Sequence, residues 1–199
     1  DIDINDDNFT DVTLQDRISV FNKWDIKRTD SRLASLALRY VYEDRWGGEM
    51  NWDKSYRGGD EIYGESIYTK RWELFGTYQL PVNGPLIFTF STTGHHQNSV
   101  YGDMPYMADQ FVGFGQLTWN RQWGKHDLLS GLSYRYTYYD DSTTATAGLN
   151  RFARYTHLPG LFIQDEIARS AYEYQRQIET GEKIIVGVNK FQSNEPNNI

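Results

Sequence analysis

A chain of 199 residues is the size of one domain with a tail, and an apolar share of 39% that includes 15 Tyr, 10 Phe and 6 Trp is too rich in rings for a disordered polymer. A formal charge of -7 with no basic run argues against a general affinity for nucleic acid, and the lack of Cys excludes disulfides, thiolate catalysis and Cys-based zinc sites. Mean hydropathy of -0.69 and the absence of a long apolar run exclude a membrane-spanning helix but leave a membrane-spanning strand open.

The chain opens with Asp1 and shows no basic stretch followed by an apolar one, so it is expected to have lost a leader or to be an internal piece of something longer. Strict alternation then sets in, because a strand with two different faces places apolar residues at every second position. Val12, Leu14, Ile18 and Val20 begin it, and Leu36, Leu38, Tyr40 and Tyr42 repeat it. Trp72, Leu74 and Tyr78 follow, then Leu117 and Trp119, then Leu128, Leu132, Tyr134, Tyr136 and Tyr138. The pattern predicts seven strands at about 10–24, 33–45, 62–80, 86–97, 110–123, 127–139 and 157–167.

The connections are expected to alternate, short at 25–32, 81–85 and 123–126, and long at 46–61, 98–109 and 140–156, which is an up-and-down meander. Sandwich strands run about 5 to 6 residues, whereas a tilted bilayer-spanning strand needs about 9 to 11. The fold class predicted is therefore all-β, a partial outer-membrane barrel of seven long antiparallel strands with a short C-terminal helix and strand. Leu36, Leu38, Tyr40, Trp72, Leu74, Tyr78, Leu117, Trp119, Leu132, Tyr134 and Tyr136 would face lipid. Arg39, Glu43, Arg71, Glu73, Gln116 and Arg135 would face a wet lumen. A soluble antiparallel sheet wetted on one face also yields alternation.

Near residue 167 the period changes. Ile167, Ala171, Tyr174 and Ile178 form a helical stripe with Gly181 where a cap would stand, 183–191 reads as a short buried-type strand, and 193–199 reads as disordered. Helix then strand is the grammar of a parallel α/β fold.

Three stretches carry a resemblance: Val20-Phe21-Asn22-Lys23-Trp24, Arg39-Tyr40-Val41-Tyr42-Glu43-Asp44-Arg45-Trp46-Gly47-Gly48, and His157-Leu158-Pro159-Gly160-Leu161-Phe162-Ile163-Gln164-Asp165-Glu166-Ile167. Through them, residues 1–167 resemble a middle portion of the barrel of TonB-dependent outer-membrane receptors. The resemblance implies energy-coupled import of a scarce nutrient, with outer-membrane lipid, a small nutrient ligand and, through a plug, the TonB energy-coupling complex as partners. From Ile163 through the Gly181-Glu182-Lys183-Ile184-Ile185-Val186-Gly187-Val188-Asn189-Lys190-Phe191 stretch, the tail resembles a segment late in the catalytic barrel of methylmalonyl-CoA mutases, where it is scaffold. That family's cobalamin signature, an Asp two before and a Gly three after one His, is absent around His95, His96, His126 and His157, so cobalamin enters only if the mutase reading holds. The two resemblances overlap at 163–167, as a chimeric or truncated gene product would show. The expected organisation is a barrel segment at 1–167, a mutase-like segment at 168–192 and a tail at 193–199.

Candidate chemistry is sparse. His95-His96 is expected to leave a strand and enter a long loop; adjacent strand residues point to opposite faces, so the pair cannot grip one metal ion, and no metal site is expected. Glu49, Asp53, Asp60 and Glu61 surround Trp52 and Tyr56 without the spacing of a calcium loop. Trp46, Trp52, Tyr56, Tyr101 and Tyr106, expected at loop tips, would either stack on a substrate or form an interfacial girdle. No Gly-x-Ser-x-Gly elbow or phosphate loop occurs, and Asp140-Asp141 has no burial to raise a carboxyl pKa, so no catalytic residue is expected and the chain reads as a non-enzyme. Three functions stand at this point: a receptor segment not functional alone in the cell outer membrane, a mutase segment, or a soluble β-rich carbohydrate-binding module.

Overall fold

A computed structural model describes residues 2–141 and 154–167, and residues 187–189 by backbone alone. The strands are β1 Leu14–Asp25, β2 Ala34–Gly48, β3 Gly64–Gln79, β4 Leu86–Tyr101, β5 Met104–Trp123, β6 His126–Asp141, β7 Arg154–Ile167 and β8 Gly187–Asn189, with one 3-10 turn at Lys54–Tyr56. They form a single sheet in the order of the sequence, every pair antiparallel, and β1 pairs on one side only. The fold is all-β and an up-and-down meander of seven long strands, open rather than closed into a barrel. The predicted helix over 167–181 and the tail 193–199 lie outside the described residues. Of the strand predicted at 183–191, the described part is β8, and it pairs antiparallel with β7 from Phe162 opposite Asn189 to Gln164 opposite Gly187. At this point the chain extends the meander and does not begin a parallel sheet.

One expected loop is absent. Residues 98–109 are paired almost throughout: Asn98 opposes Met107, Ser99 opposes Tyr106 and Val100 opposes Pro105, leaving only Gly102 and Asp103 as the turn. Gly102 takes φ of 60° and Gly124, opening the β5–β6 turn, takes 63°. A two-residue hairpin of the II′ kind needs a glycine there, where a Cβ would crowd the backbone.

The register sorts the side chains into two faces, since residues directly opposite across an antiparallel pair share a face. One face, called A below, carries Leu38 opposite Leu74, Tyr40 opposite Trp72, Tyr78 opposite Phe88, Phe88 opposite Leu117, and Leu117 opposite Leu132. All eleven residues expected to face lipid stand on it. The other face, B, carries Arg39 opposite Glu73, Arg17 opposite Glu43, Gln116 opposite Ser133 and Arg135 opposite Phe114.

Rings hold face A together sideways. Trp72 and Phe111 are 6.1 Å apart, Phe111 and Tyr136 6.1 Å, and Tyr136 and His157 5.2 Å, a run of tilted contacts from β3 to β7. It can cross β4 because Gly94 lies beneath Trp72, where a Cβ would collide with the indole. Gly76 lies under Phe90 in the same way. Among the described residues no second layer covers the sheet. The buried apolar ones among the described residues are Ala37, Val41, Val100 and Ala108, while Ile18, Leu132 and Leu161 on face A stay 61%, 58% and 69% exposed. The Trp72 and Leu132 rows lie side by side on one open face and do not meet in an enclosed core.

Candidate functional site

The one long described connection, 49–63, folds back over face A. Asp53 caps the 3-10 turn, its carboxylate accepting from Ser55 N at 2.7 Å and from the Ser55 hydroxyl. The Ser55 hydroxyl and amide hold that carboxyl below the usual range. The turn delivers Lys54 and Arg57 to the sheet. Arg57 Nε donates to Ser66 Oγ at 2.6 Å, its Nη2 donates to Asn98 Oδ1 at 2.6 Å and to the Asn98 carbonyl at 3.1 Å, and its plane stacks 4.5 Å from the Tyr68 ring centre. Lys54 sits 5.1 Å from the Trp46 ring centre and 3.6 Å from Asp44 Oδ2. Trp52 lies flat against Gly64, and the Glu49 side chain accepts from Tyr63 N at 2.9 Å. The Tyr63 hydroxyl donates to Glu65, which pushes its pKa up.

This clamp redistributes the residues expected to bind a ligand. Trp46 belongs to β2 and faces A beneath Lys54, and Trp52 and Tyr56 belong to the connection above it. Tyr101 and Tyr106 are strand residues of the β4–β5 hairpin, not loop tips, and they face B, where Tyr106 shares a 3.0 Å hydrogen bond with Tyr139. His95 and His96 sit inside β4, correcting their expected place at the mouth of a loop, and they do point to opposite faces. His95 opposes Arg71 on B, and His96 on A approaches Asp109 at 2.6 Å. The seven candidates therefore divide between the two faces and do not converge on one site.

Sequence reading missed Lys54 and Arg57, the two cations that fix the connection. Their signal was their nearness to aromatic Trp46 and Tyr68, which only the register reveals. A depression of about 380 Å³ on face A is lined by Lys70, Trp72, Gly94, His96, Asp109 and Phe111. It is shallow and open, with a polar rim over a ring floor. Among the described residues no cluster of three or more His, Asp or Glu is placed to hold a metal ion. His96, His126 and His157 are each hydrogen-bonded across strands, to Asp109, Asp165 and Tyr134 respectively.

At the other end of the sheet, Asp30 accepts from Arg32 Nη1 and Arg28 Nη2, both at 2.8 Å. The hydrogen bond from Arg32 leads in holding its carboxyl below the ordinary value of 3.8, with Arg28 adding attraction. Arg28 also donates to the Gln79 carbonyl and stacks on Tyr78, and Arg32 donates to the Val82 carbonyl, so the β1–β2 and β3–β4 turns are laced together.

A family model described as Methylmalonyl-CoA mutase matches residues 157–199, less than a quarter of the chain. No curated protein and no solved structure matches the chain. The matched stretch begins inside β7, so its first residues, 157–167, are those that zip against β6 from His157 opposite Tyr136 to Ile167 opposite His126.

Proposed function

We propose that residues 1–167 are part of the barrel wall of a TonB-dependent outer-membrane receptor, with face A toward acyl chains and face B toward a water-filled lumen. The observation that carries this reading is a band on face A without Asp, Glu, Lys or Arg. It covers the A-facing residues of 34–42, 86–94, 111–119, 128–138 and 155–163. Each window is about 9 to 11 residues, the length a tilted strand needs to cross the hydrocarbon. Asp44, Lys70, His96, Asp109 and Asp140 close the band at one end, and Arg121 and Asp165 at the other. The closing row steps by one residue pair between β2 and β3, as a border does when strands cross it at a tilt. Rings gather at both borders: Tyr40, Trp72, Phe111 and Tyr138 at one, Trp24, Tyr78 and Trp119 at the other. Ligand capture would fall to the extended strand ends and the clamped connection, and transport would require the rest of the barrel and a plug.

The test is to fold the full chain from urea into bilayers whose acyl chains carry bromine at known depth. Quenching of Trp72 and Trp119 is the expected result. Recovery of the chain as a folded monomer in detergent-free buffer would overturn the reading.

The match over 157–199 favours a second reading, a segment of a cobalamin-dependent isomerase. It requires conversion of methylmalonyl-CoA by the purified chain with added cofactor, and a null assay removes it.

A further inference from the structure

We infer that face B carries a binding patch for a small solute bearing two or more carboxylate or phosphate groups, a substrate class that rests on the receptor reading given above. Two arginine pairs each enclose one glutamate. Glu43 lies 3.5 Å from Arg17 Nε and 3.0 Å from Arg45 Nη2. Glu73 lies 2.9 Å from Arg39 Nε, off the line of a hydrogen bond there, 3.1 Å from Arg39 Nη2 and 2.6 Å from Arg71 Nη2. The glutamate side chains are 15% and 13% exposed, the arginines 43% to 52%. Each carboxylate is thus sunk beneath two guanidinium side chains that stay about half exposed, and an arginine carries more donors than one carboxylate takes up.

Stabilising a sheet needs one arginine per glutamate. Here both triads hold two, which leaves a surplus positive charge on each in a chain whose net charge is -7. Arg135, on the same face, has no carboxylate partner among the described residues, whereas Lys23 is neutralised by Asp25 at 3.1 Å. The triads adjoin: Arg71 stands opposite Val41, between Glu43 and Arg39 on β2. Arg45 to Arg39 spans about 20 Å at roughly 3.3 Å per residue, so the patch is wide enough for several anionic groups. Ser19, Val41, Thr69 and Thr93 stand between the arginines on that face, with Phe21 opposite Arg39 and Ile67 opposite Arg45 at its two ends. Guanidinium forks suit planar carboxylates and phosphates in pairs.

The experiment uses the full chain folded in uncharged detergent micelles, with citrate and inorganic pyrophosphate as probes and spermidine as the control. Calorimetric titration at low salt should show both anions bound and spermidine not bound. Citrate affinity should fall about tenfold or more in Arg71→Gln and again in Arg45→Gln, as expected for a lost charge-assisted contact, and should stay unchanged in Lys70→Gln on face A. Arg71→Lys guards against misfolding: it keeps the charge, should keep the sheet circular dichroism, and should recover part of the affinity. Equal binding by all variants, or spermidine bound as tightly as citrate, overturns the inference. Depth-dependent quenching on the same samples separates the two claims. Insertion without citrate binding removes the anion patch alone, and arginine-dependent citrate binding without insertion removes the receptor reading and leaves the patch.

Discussion

Leu117 and Gln116 are neighbours in β5, yet one faces a row of rings and leucines and the other hydrogen-bonds Thr118 on a face of arginines, serines and threonines. The contrast between faces A and B repeats on every strand from β1 to β7. Among the described residues neither face is covered by a second layer, so packing does not account for the contrast; on the proposed receptor reading, two solvents do. Water could satisfy face B, but it has nothing to offer face A.

The sharpest way to break that contrast is to exchange charges across it. In bilayers Leu117→Arg should cost about 2 to 4 kcal/mol of folding free energy, while Gln116→Arg should stay within about 0.5 kcal/mol; equilibrium urea unfolding in liposomes measures both. Equal costs would mean that the faces share one solvent. Next in size is Gly94→Val, which drives a branched side chain into the Trp72 indole and should cost about 1 to 3 kcal/mol. It should also blue-shift or broaden the tryptophan emission as the ring leaves Phe111. Thr93→Val, one residue away on face B, should do neither.

A smaller effect is expected from Arg57→Ala. It removes three hydrogen bonds that pin 49–63, and should expose that connection to limited proteolysis at a cost of about 1 to 2 kcal/mol, leaving the sheet's circular dichroism unchanged. The smallest concerns pH. Because the folded Asp30 carboxyl is held below its ordinary 3.8, the stability it lends the β1–β2 turn is complete above that value and is lost as pH falls through the lowered one. Amide-exchange protection of Arg32 N, which donates to Asp30 Oδ1, should therefore survive below pH 3.8 and vanish in stronger acid; Asp30→Asn should abolish that step.

Much of this architecture was legible because alternation is a direct trace of two-facedness. The Leu36-to-Tyr42 and Leu132-to-Tyr138 rows predicted their strands and their common face before any register was known. Alternation fades where neither face is apolar, and there the reading failed. Asn98 and Ser99 carry β4 beyond the charge-free band, so they looked like loop, and the hairpin through Tyr101 and Tyr106 was lost with them. The same blindness moved His95 and His96 to a loop mouth. The clamp was invisible for another reason: Arg57 reaches Asn98 across 41 positions of sequence, and no local spacing encodes that meeting. The tail was read from a helical period and a short apolar run, which suggested a parallel α/β unit, yet its described piece, β8, pairs antiparallel with β7 and extends the meander.

Along the outer margin of β1, from Leu14 to Asp25, the peptide groups bond to β2 on one side and to nothing described on the other. Such a margin templates growth: copies meeting in water would add strand to strand, with apolar faces ready to stick sheet to sheet. A cell making this chain in quantity would need escort proteins to hold the margins apart, or would find the product in inclusion bodies.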